Sequence, residues 1–594
     1  MPRTVVPFGK NDDAGNARRM PDESDELFLL LPEEMQTASQ KYKHLWEYLC
    51  QVPLDEVAVP EYVSKLKRSD GDRKQLNLIF PVGEEIFIHM YSDSSGGRPF
   101  YIPIEPGMNQ DMSVVLHEVE DRLVDEAEAL SNVKSDEERT ECLLRLIDKV
   151  TTVHRNGTST SLSTADDDGS GKGDKGKGKG KKGKGISKKS KVEVSPDQLE
   201  ALKYIIVRDK VGMGVMEPLI QDSNIEDISC SGVGGIFVEH KIFRSVQSCI
   251  TFETHDDVDE FVLRLSESIK KPVTLRSPIV DATLADGSRI NIVFGREVSR
   301  RGSNFTIRKF ADTPLSVMEL IEFGSLNYEM AAYLSMVIED GMNVFVVGET
   351  ASGKTTLMNA VTAFMPTNHK IISIEDTPEL QVPHSNWLRE VAKNPAPGEK
   401  VSNVNMFELL KAALRQRPDV IIVGEIRGEE GNIAFGAMQT GHQVMSTFHA
   451  SNVEKLIQRL TGPPINVSKT YMDNLNVVVC QNAVKLPNGK KGRRATSISE
   501  IVGYDPVDNI FSFVEVFRWD SVNDTFEFVG NKNSFLLEEK LAPKHGIPSN
   551  RKWQIYSSVE RRQRILEKLH KDKGVTDFYE LLKVLAKARQ EGLF

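Results

Sequence analysis

The segment Gly348, Glu349, Thr350, Ala351, Ser352, Gly353, Lys354 and Thr355 fits the pattern G-x-x-x-x-G-K-[ST]. That pattern constrains the fold because it has physical meaning only between a strand and a helix. Asn343-Val-Phe-Val-Val347 reads as a short, fully buried strand leading in, and Thr356-Leu-Met-Asn-Ala-Val-Thr-Ala-Phe-Met365 as the helix leading out. The glycines let the backbone curl so that its N–H groups face inward as an anion nest. The helix N-terminus, beginning at Thr356, adds a dipole favourable to phosphate. Lys354 is expected to reach the β- and γ-phosphates, and the Thr355 hydroxyl to hold Mg²⁺. The alternative, a chance glycine-rich turn, does not account for the strand before it and the helix after it. The expectation is a nucleoside triphosphate site.

A chain of 594 residues is too long for one core and suggests roughly three or four domains. Lys+Arg 75 against Asp+Glu 86 gives a net charge of −11, so nucleic acid is not an expected partner. No apolar run approaches the roughly 20 residues that span a bilayer, and Met-Pro-Arg-Thr is not a signal-peptide core, which points to the cytoplasm. The five cysteines (Cys50, Cys142, Cys230, Cys249 and Cys480) form no C-x-x-C pair and read as reduced, mostly buried thiols.

Residues 1–24 are polar and charged and read as a disordered start. Residues 25–155 mix helical and strand periodicities among many acids and read as an acidic α+β domain. The tract 156–192 is Ser/Thr/Asp-rich and then Gly/Lys-rich; like charges and glycine preclude a core, so it reads as a flexible linker. Three readings of that tract stand open: a solvated tether, a polybasic patch touching anionic lipid, or a nucleic-acid tail. Order resumes at Ser195-Pro196, an N-cap followed by proline at the first helical position. From 193 to 312 short strands alternate with helices, and from 313 to 594 helices alternate with the buried runs Val344-Phe-Val-Val, Lys370-Ile-Ile-Ser-Ile, Val420-Ile-Ile-Val and Gln443-Val-Met-Ser-Thr. That βαβ rhythm argues for an α/β fold with a parallel sheet wrapped by helices. Two amphipathic helices are expected between Val559 and Phe594.

Four features fall at the ends of expected strands or just upstream of the P-loop pattern. Ile371-Ile-Ser-Ile-Glu375-Asp376-Thr-Pro-Glu379 ends an apolar strand in carboxylates, and Glu375 is the candidate that orients water for hydrolysis. Val420-Ile-Ile-Val-Gly424-Glu425-Ile-Arg427 places Glu425 where a Walker B acid belongs; one methylene longer than Asp, it favours holding Mg²⁺ through water. Thr440-Gly-His442-Gln-Val-Met-Ser-Thr-Phe-His449 sets a histidine at each end of a strand, with His449 the candidate γ-phosphate sensor and His442 open between a structural and a functional role. Upstream, Arg289, Arg296, Arg300, Arg301 and Arg308 crowd twenty residues. Guanidinium groups grip phosphate bidentately and serve as arginine fingers.

The P-loop, the Ile374-Glu375-Asp376 box, the Glu-type Walker B strand and the box ending in His449-Ala resemble, in this order, the secretion ATPase superfamily of type II and type IV secretion, type IV pili and the archaellum. The resemblance covers about 195–520. Asp222-Ser-Asn-Ile-Glu-Asp-Ile, Arg300-Arg-Gly-Ser-Asn-Phe-Thr-Ile-Arg-Lys-Phe and Glu454-Lys-Leu-Ile-Gln-Arg-Leu-Thr-Gly-Pro-Pro-Ile-Asn look like its archaeal branch, most of all the archaellum motor and assembly ATPases.

The resemblance implies a hexamer, each subunit with an N-terminal domain and a C-terminal RecA-like P-loop domain, with nucleotide between the domains. It implies P-loop roles for Lys354 and Thr355, catalysis by Glu375, a Walker B role for Glu425, sensing by His449, and phosphate binding by Arg301 and Arg308, with Arg289 beside them. Glu375→Gln is then expected to keep ATP binding and lose roughly 10²–10⁴ in turnover. It also implies a polytopic membrane platform as partner and a peripheral place on the cytoplasmic membrane. Bacterial members carry a tetracysteine zinc module after the Walker B region; Cys480 is the only cysteine here beyond Cys249, so zinc is not expected. Rival readings are the same motor on an adhesive pilus or secretion system, a DNA translocator, a scaffold without turnover, and a small-molecule kinase.

Overall fold

A computed structural model describes residues 3–8, 20–21, 25–93, 96–110, 112–126, 135–154, 191–284, 286–310, 313–393 and 404–594. The chain divides into two units, Met1–Phe310 and Ala311–Phe594.

The first unit is built on one sheet. Its strands are β1 (Arg3–Thr4), β2 (Glu61–Tyr62), β3 (Asn77–Val82), β4 (Ile86–Tyr91), β5 (Phe100–Ile104), β8 (Ile225–Cys230), β9 (Gly234–His240), β10 (Arg244–Phe252), β11 (Ile279–Thr283), β12 (Arg289–Val293) and β13 (Asn304–Arg308). Between β5 and β8, the short β6 (Thr151–Val153) and β7 (Val192–Val194) pair with each other. The sheet order is β11-β12-β13-β8-β9-β10-β5-β4-β3-β2, with β1 also on β10. Helix α1 (Lys43–Gln51) buries Leu45, Trp46, Tyr48 and Leu49 against Ile79, Phe87, Ile102 and Ile104 on one face of this sheet.

The sheet runs across the boundary expected between 25–155 and 193–312. Strand β5 pairs in parallel with β10, Gln247 opposite Phe100 and Ser248 opposite Tyr101, and the Tyr101 hydroxyl donates to Asp222 at 2.9 Å. The two segments therefore share one unit. Edge backbone groups need partners, and pairing between segments so far apart leaves no periodic mark in either. Of the expected disordered start 1–24, residues 3–8 and 20–21 are described, and the same demand gives the first of these a partner. Arg3–Thr4 pair antiparallel with the stretch of β10 that outruns β5, and Val5 N–H donates to Cys249 O at 2.8 Å.

The expected linker 156–192 lies outside the described residues except at 191–192. Its flanks are side by side: β6 follows helix α2 (Asp136–Val150), and β7 precedes α3 (Pro196–Lys210), Thr151 facing Val192. Ser195 caps α3 as its sequence implies. Its hydroxyl accepts from Gln198 N–H at 3.1 Å and its N–H donates to Gln198 Oε1 at 2.9 Å. The unit also holds helix α4 (His255–Ser268), among other helices.

The second unit carries the expected α/β core. Its strands are β14 (Val344–Val347), β15 (Ile371–Glu375), β16 (Trp387–Val391), β17 (Val420–Ile426), β18 (Gln443–Phe448), β19 (Val477–Lys485), β20 (Lys491–Asp505), β21 (Ile510–Asp520) and β22 (Thr525–Glu527). The order is β16-β15-β17-β18-β14-β19-β20-β21-β22; the first six are mutually parallel and the rest antiparallel.

Helices cover both faces of that sheet. Val344 and Val346 join a core with α5 (Tyr328–Glu339), α6 (Lys354–Val361) and residues of the last two helices. Phe345 and Val347 face the other way, against α7 (Met406–Arg415), α8 (Glu430–Gln439) and α9 (Val453–Thr461). Burial on both faces explains why the strands read as unbroken apolar runs. The closing pair is α10 (Ile555–Lys571) and α11 (Phe578–Gln590), as the amphipathic spacing foretold. This is a RecA-like P-loop core: β18 stands between the P-loop strand β14 and the Glu425 strand β17.

Candidate functional site

Strand β14 is central and wholly buried, and the chain leaves it at Gly348, whose N–H donates to Phe448 O at 3.2 Å. A Cβ at Gly348 would lie 2.0 Å from Gln481 O on β19, so only glycine fits where the loop leaves the sheet. Ala351 (φ 61°) and Gly353 (φ 91°) adopt the left-handed conformation that curls the loop.

Helix α6 begins differently from most of its neighbours. In α3, α4, α5, α7, α9 and α11 a Ser, Thr, Asn or Asp side chain accepts an N–H of the first turn. The cap of α6 is Gly353, which has no side chain to offer. The first-turn amides of Lys354, Thr355 and Thr356 have no intrahelical partner, and the Ser352 hydroxyl is buried without one. Donors left open at a helix N-terminus suit a phosphate. Glu349 and Thr350 form the exposed crest of the loop, and Lys354 Nζ donates to Glu349 O at 2.9 Å. Burial pulls the Lys354 pKa below the usual lysine value, against the opposing charges of Glu425 and Glu379.

Because β14, β18, β17 and β15 are parallel, their C-terminal ends share one edge. With strands about 4.8 Å apart, His449 leaves the strand next to the P-loop strand, Glu425 the second, about 10 Å away, and Glu375 the third, about 14 Å away. His449 is exposed; its carbonyl accepts from Arg459, whose guanidinium stacks over Phe448 at 5.1 Å. His442 lies at the other end of β18, its Nδ1 3.0 Å from Thr440 Oγ1, away from the carboxylate edge. Glu425 follows a register shift at Gly424 and pairs with Arg427, whose Nε is 2.9 Å from Glu425 Oε2.

Glu375 is not presented to the loop. It is 1 % exposed, and its Oε1 accepts from the N–H groups of Glu379 (2.7 Å) and Leu380 (2.8 Å), while Arg389 Nε approaches Oε2 at 3.4 Å. Burial pushes its carboxyl above the usual range, opposed by those two amides and Arg389. Its bonds fold the following residues back toward the P-loop helix. There Asn359 of α6 donates to Glu379 O at 3.1 Å and accepts from Gln381 N–H at 3.0 Å. Glu379, half-buried, thereby becomes the carboxylate of this box whose charge acts on Lys354. The end of the apolar strand at Glu375 is what the sequence marks, and Glu379 lies four residues beyond it.

The arginines belong to the first unit. Arg289 and Arg308 face each other across β12 and β13, and Arg308 Nε reaches Asp227 Oδ1 at 3.0 Å. Arg301 lies before β13, at the opposite end from Arg308; the strand alone separates its ends by about 14 Å. Arg289 and Arg308 thus form one cluster, and Arg301 stands apart from it.

The oxygen donors near the P-loop, the Thr355 hydroxyl and the Glu425 carboxylate, are hard and partly exposed. Two protein oxygens suit Mg²⁺, which keeps several waters and takes its other ligands from substrate phosphates.

The profile of the type II/IV secretion system protein family matches residues 209–579. An uncharacterized protein of Methanocaldococcus jannaschii is 39% identical over 569 residues, covering 96% of this chain and 98% of its own. The type IV secretion system protein VirB11 of Bartonella quintana is 30% identical over 226 residues, 32% of this chain and 63% of its own. Among solved structures, the pilus retraction motor PilT with bound ADP is 20% identical over 49% of this chain and 83% of its own, with a TM-score of 0.35.

Proposed function

The chain belongs to the type II/IV secretion system protein family, and we propose that it is an ATPase working as a homohexameric motor of a secretion or pilus-type machine. The observation that carries the proposal is the uncapped N-terminus of α6 behind the P-loop, flanked at one sheet edge by His449, Glu425 and the Glu379 loop.

In this reading the amides of 349–356 and Lys354 bind the phosphates, and Lys354 gives up the Glu349 carbonyl to do so. Mg²⁺ would be held by Thr355 and, through water, by Glu425, and supplies charge neutralisation at the β- and γ-phosphates. Glu379 orients water, Glu375 positions Glu379, and His449 senses the γ-phosphate. Arg301 and Arg308, with Arg289, are the proposed phosphate-binding arginines.

The proposed work is assembly, and in the finest reading also rotation, of an archaeal type IV pilus-like filament, the archaellum, through a polytopic membrane platform. The long match to an archaeal relative supports an archaeal machine. The match to VirB11 supports the alternative of a secretion system or adhesive pilus. Among the described residues no helix is long and apolar enough to cross a membrane. A place on the cytoplasmic face of the membrane is proposed, with the Lys-rich tract touching anionic lipid. Neither zinc nor nucleic acid enters the proposal.

The test is ATP hydrolysis against protein concentration, with Lys354→Ala as the blank, repeated with anionic vesicles and with DNA. Turnover per subunit that rises cooperatively supports a ring whose subunits complete one another's sites. Turnover independent of concentration refutes the ring, and stimulation by DNA favours a translocator.

A further inference from the structure

On the side of the P-loop away from Glu425 and His449 lies β20, the antiparallel partner of β19. Arg493 of β20 donates its Nε to the carbonyl of Ala351 at 3.2 Å, at the residue holding the left-handed turn. A Cβ at Gly353 would lie 3.3 Å from Arg493 Cδ, so the arginine stem runs along the loop over a residue that has no side chain to push it off. Arg493 is exposed, and among the described residues its guanidinium makes no other hydrogen bond and no ion pair.

The next residue explains the placement. Arg494 is buried, pairs in a fork with Asp524 at 2.7 Å through both Nε and Nη2, and donates to Phe323 O at 2.9 Å. Trp519 Nε1 steadies the same carboxylate at 2.9 Å. With Arg494 locked on its side of β20, strand alternation sends Arg493 the other way, onto the P-loop.

A loop that binds phosphate through its N–H groups must keep its carbonyls turned outward. Two cations do this here, Lys354 on Glu349 O and Arg493 on Ala351 O. Lysine binds one group at a time, whereas a guanidinium offers five N–H donors in a fixed fork, and Arg493 commits one. We propose that Arg493 is a further phosphate-binding residue of the P-loop site, holding the Ala351 carbonyl through Nε while its Nη groups donate to the phosphates seated over residues 351–353. The inference rests on the nucleotide reading above.

The experiment measures ATP and ADP affinity of the full chain by displacement of a fluorescent ADP analogue, for the wild type, R493A, R493Q, R493K and K354A, with urea unfolding midpoints as the check on folding. Glutamine can still donate to Ala351 O but carries no charge, so it separates loop positioning from phosphate binding. Expected are losses of about tenfold, roughly 1.4 kcal/mol, in both R493A and R493Q, with part regained in R493K. Wild-type affinity in R493Q or in R493A overturns the inference while leaving the nucleotide site intact. Should the wild type bind no nucleotide, the function reading falls and this inference with it. An R493A chain with a lowered unfolding midpoint is set aside, and R493Q against R493K decides.

Discussion

Replacing Glu375 and Glu379 separately by glutamine divides the labour of two carboxylates four residues apart. Glu375 Oε1 accepts two buried amides at 2.7 and 2.8 Å, and its Cγ would be 3.1 Å from a Cβ at Gly424. In Glu375→Gln the side-chain carbonyl can still take both amides. Because burial already pushes this carboxyl up, removing its charge relieves a desolvation cost that offsets the lost charge assistance and Arg389 contact, so stability should change by under about 1 kcal/mol. Glu375→Ala leaves both amides without an acceptor, at about 1–3 kcal/mol each, or about 2–6 kcal/mol of a total that is typically about 5–15. Glu379→Gln leaves those bonds in place, with a stability change under about 1 kcal/mol, yet removes the carboxylate whose charge acts on Lys354, with an expected loss of roughly 10²–10⁴ in turnover. Urea unfolding and steady-state ATPase rates on the same preparations separate the two effects. Turnover of Glu375→Gln should fall by about tenfold at most, through the shifted loop. A Glu375→Gln chain of unchanged stability that is as inactive as Lys354→Ala, beside an active Glu379→Gln, would restore Glu375 as the water-orienting residue and refute the assignment from geometry.

Gly348→Ala places a Cβ 2.0 Å from the Gln481 carbonyl of β19, so the loop must leave the sheet; nucleotide affinity should drop at least about 100-fold, about 2.8 kcal/mol, and unchanged affinity by calorimetry would contradict the placement. Gly436 lies inside α8 with open space where a Cβ would go, so Gly436→Ala should stabilise the second unit by about 0.5–1 kcal/mol; a lower unfolding midpoint would count against that helix. His89 donates from Nε2 to Asn77 Oδ1 at 2.8 Å, which makes Nδ1 the acceptor of the Tyr48 hydroxyl at 2.7 Å, and burial lowers its pKa from 6.5 to about 3. The unfolded chain therefore binds the proton more tightly, so the stability His89 contributes is fully present above pH 6.5 and is lost as pH falls toward about 3. His44, lowered to about 4, adds to the same window. In His89→Gln the loss of stability between pH 6.5 and 4 should be shallower than in the wild type, and equal slopes in pH-dependent urea melts would rule His89 out.

The P-loop, the strands around it and the order of their carboxylates and histidines were legible because each is a local pattern. Val344–Val347 reads as buried because it is buried on both faces, and the Ser195 cap is a matter of three residues. At Glu375 the sequence says less for a physical reason: the end of an apolar strand marks where a carboxylate can emerge, but not whether it turns to the ligand or to its own backbone. Two amides and Asn359 decide that, and Asn359 comes from a different element. Arg493 carries no signal within a basic hairpin, because its place follows from β20 lying two strands from β14.

By itself, then, the sequence determined what depends on spacing along the chain: a phosphate loop between strand and helix, an α/β core, two closing helices, and a charge balance unfavourable to nucleic acid. Tertiary structure alone decided that residues on both sides of the Lys-rich tract share one sheet, that Arg289 and Arg308 form a cluster without Arg301, that Glu375 turns to the amides of Glu379 and Leu380, and that Arg493 grips the P-loop. Each of these is a pairing between residues distant in sequence. Such pairings are chosen by which unsatisfied backbone edges and buried charges find partners once the chain has closed on itself, and no periodicity within either partner records the choice.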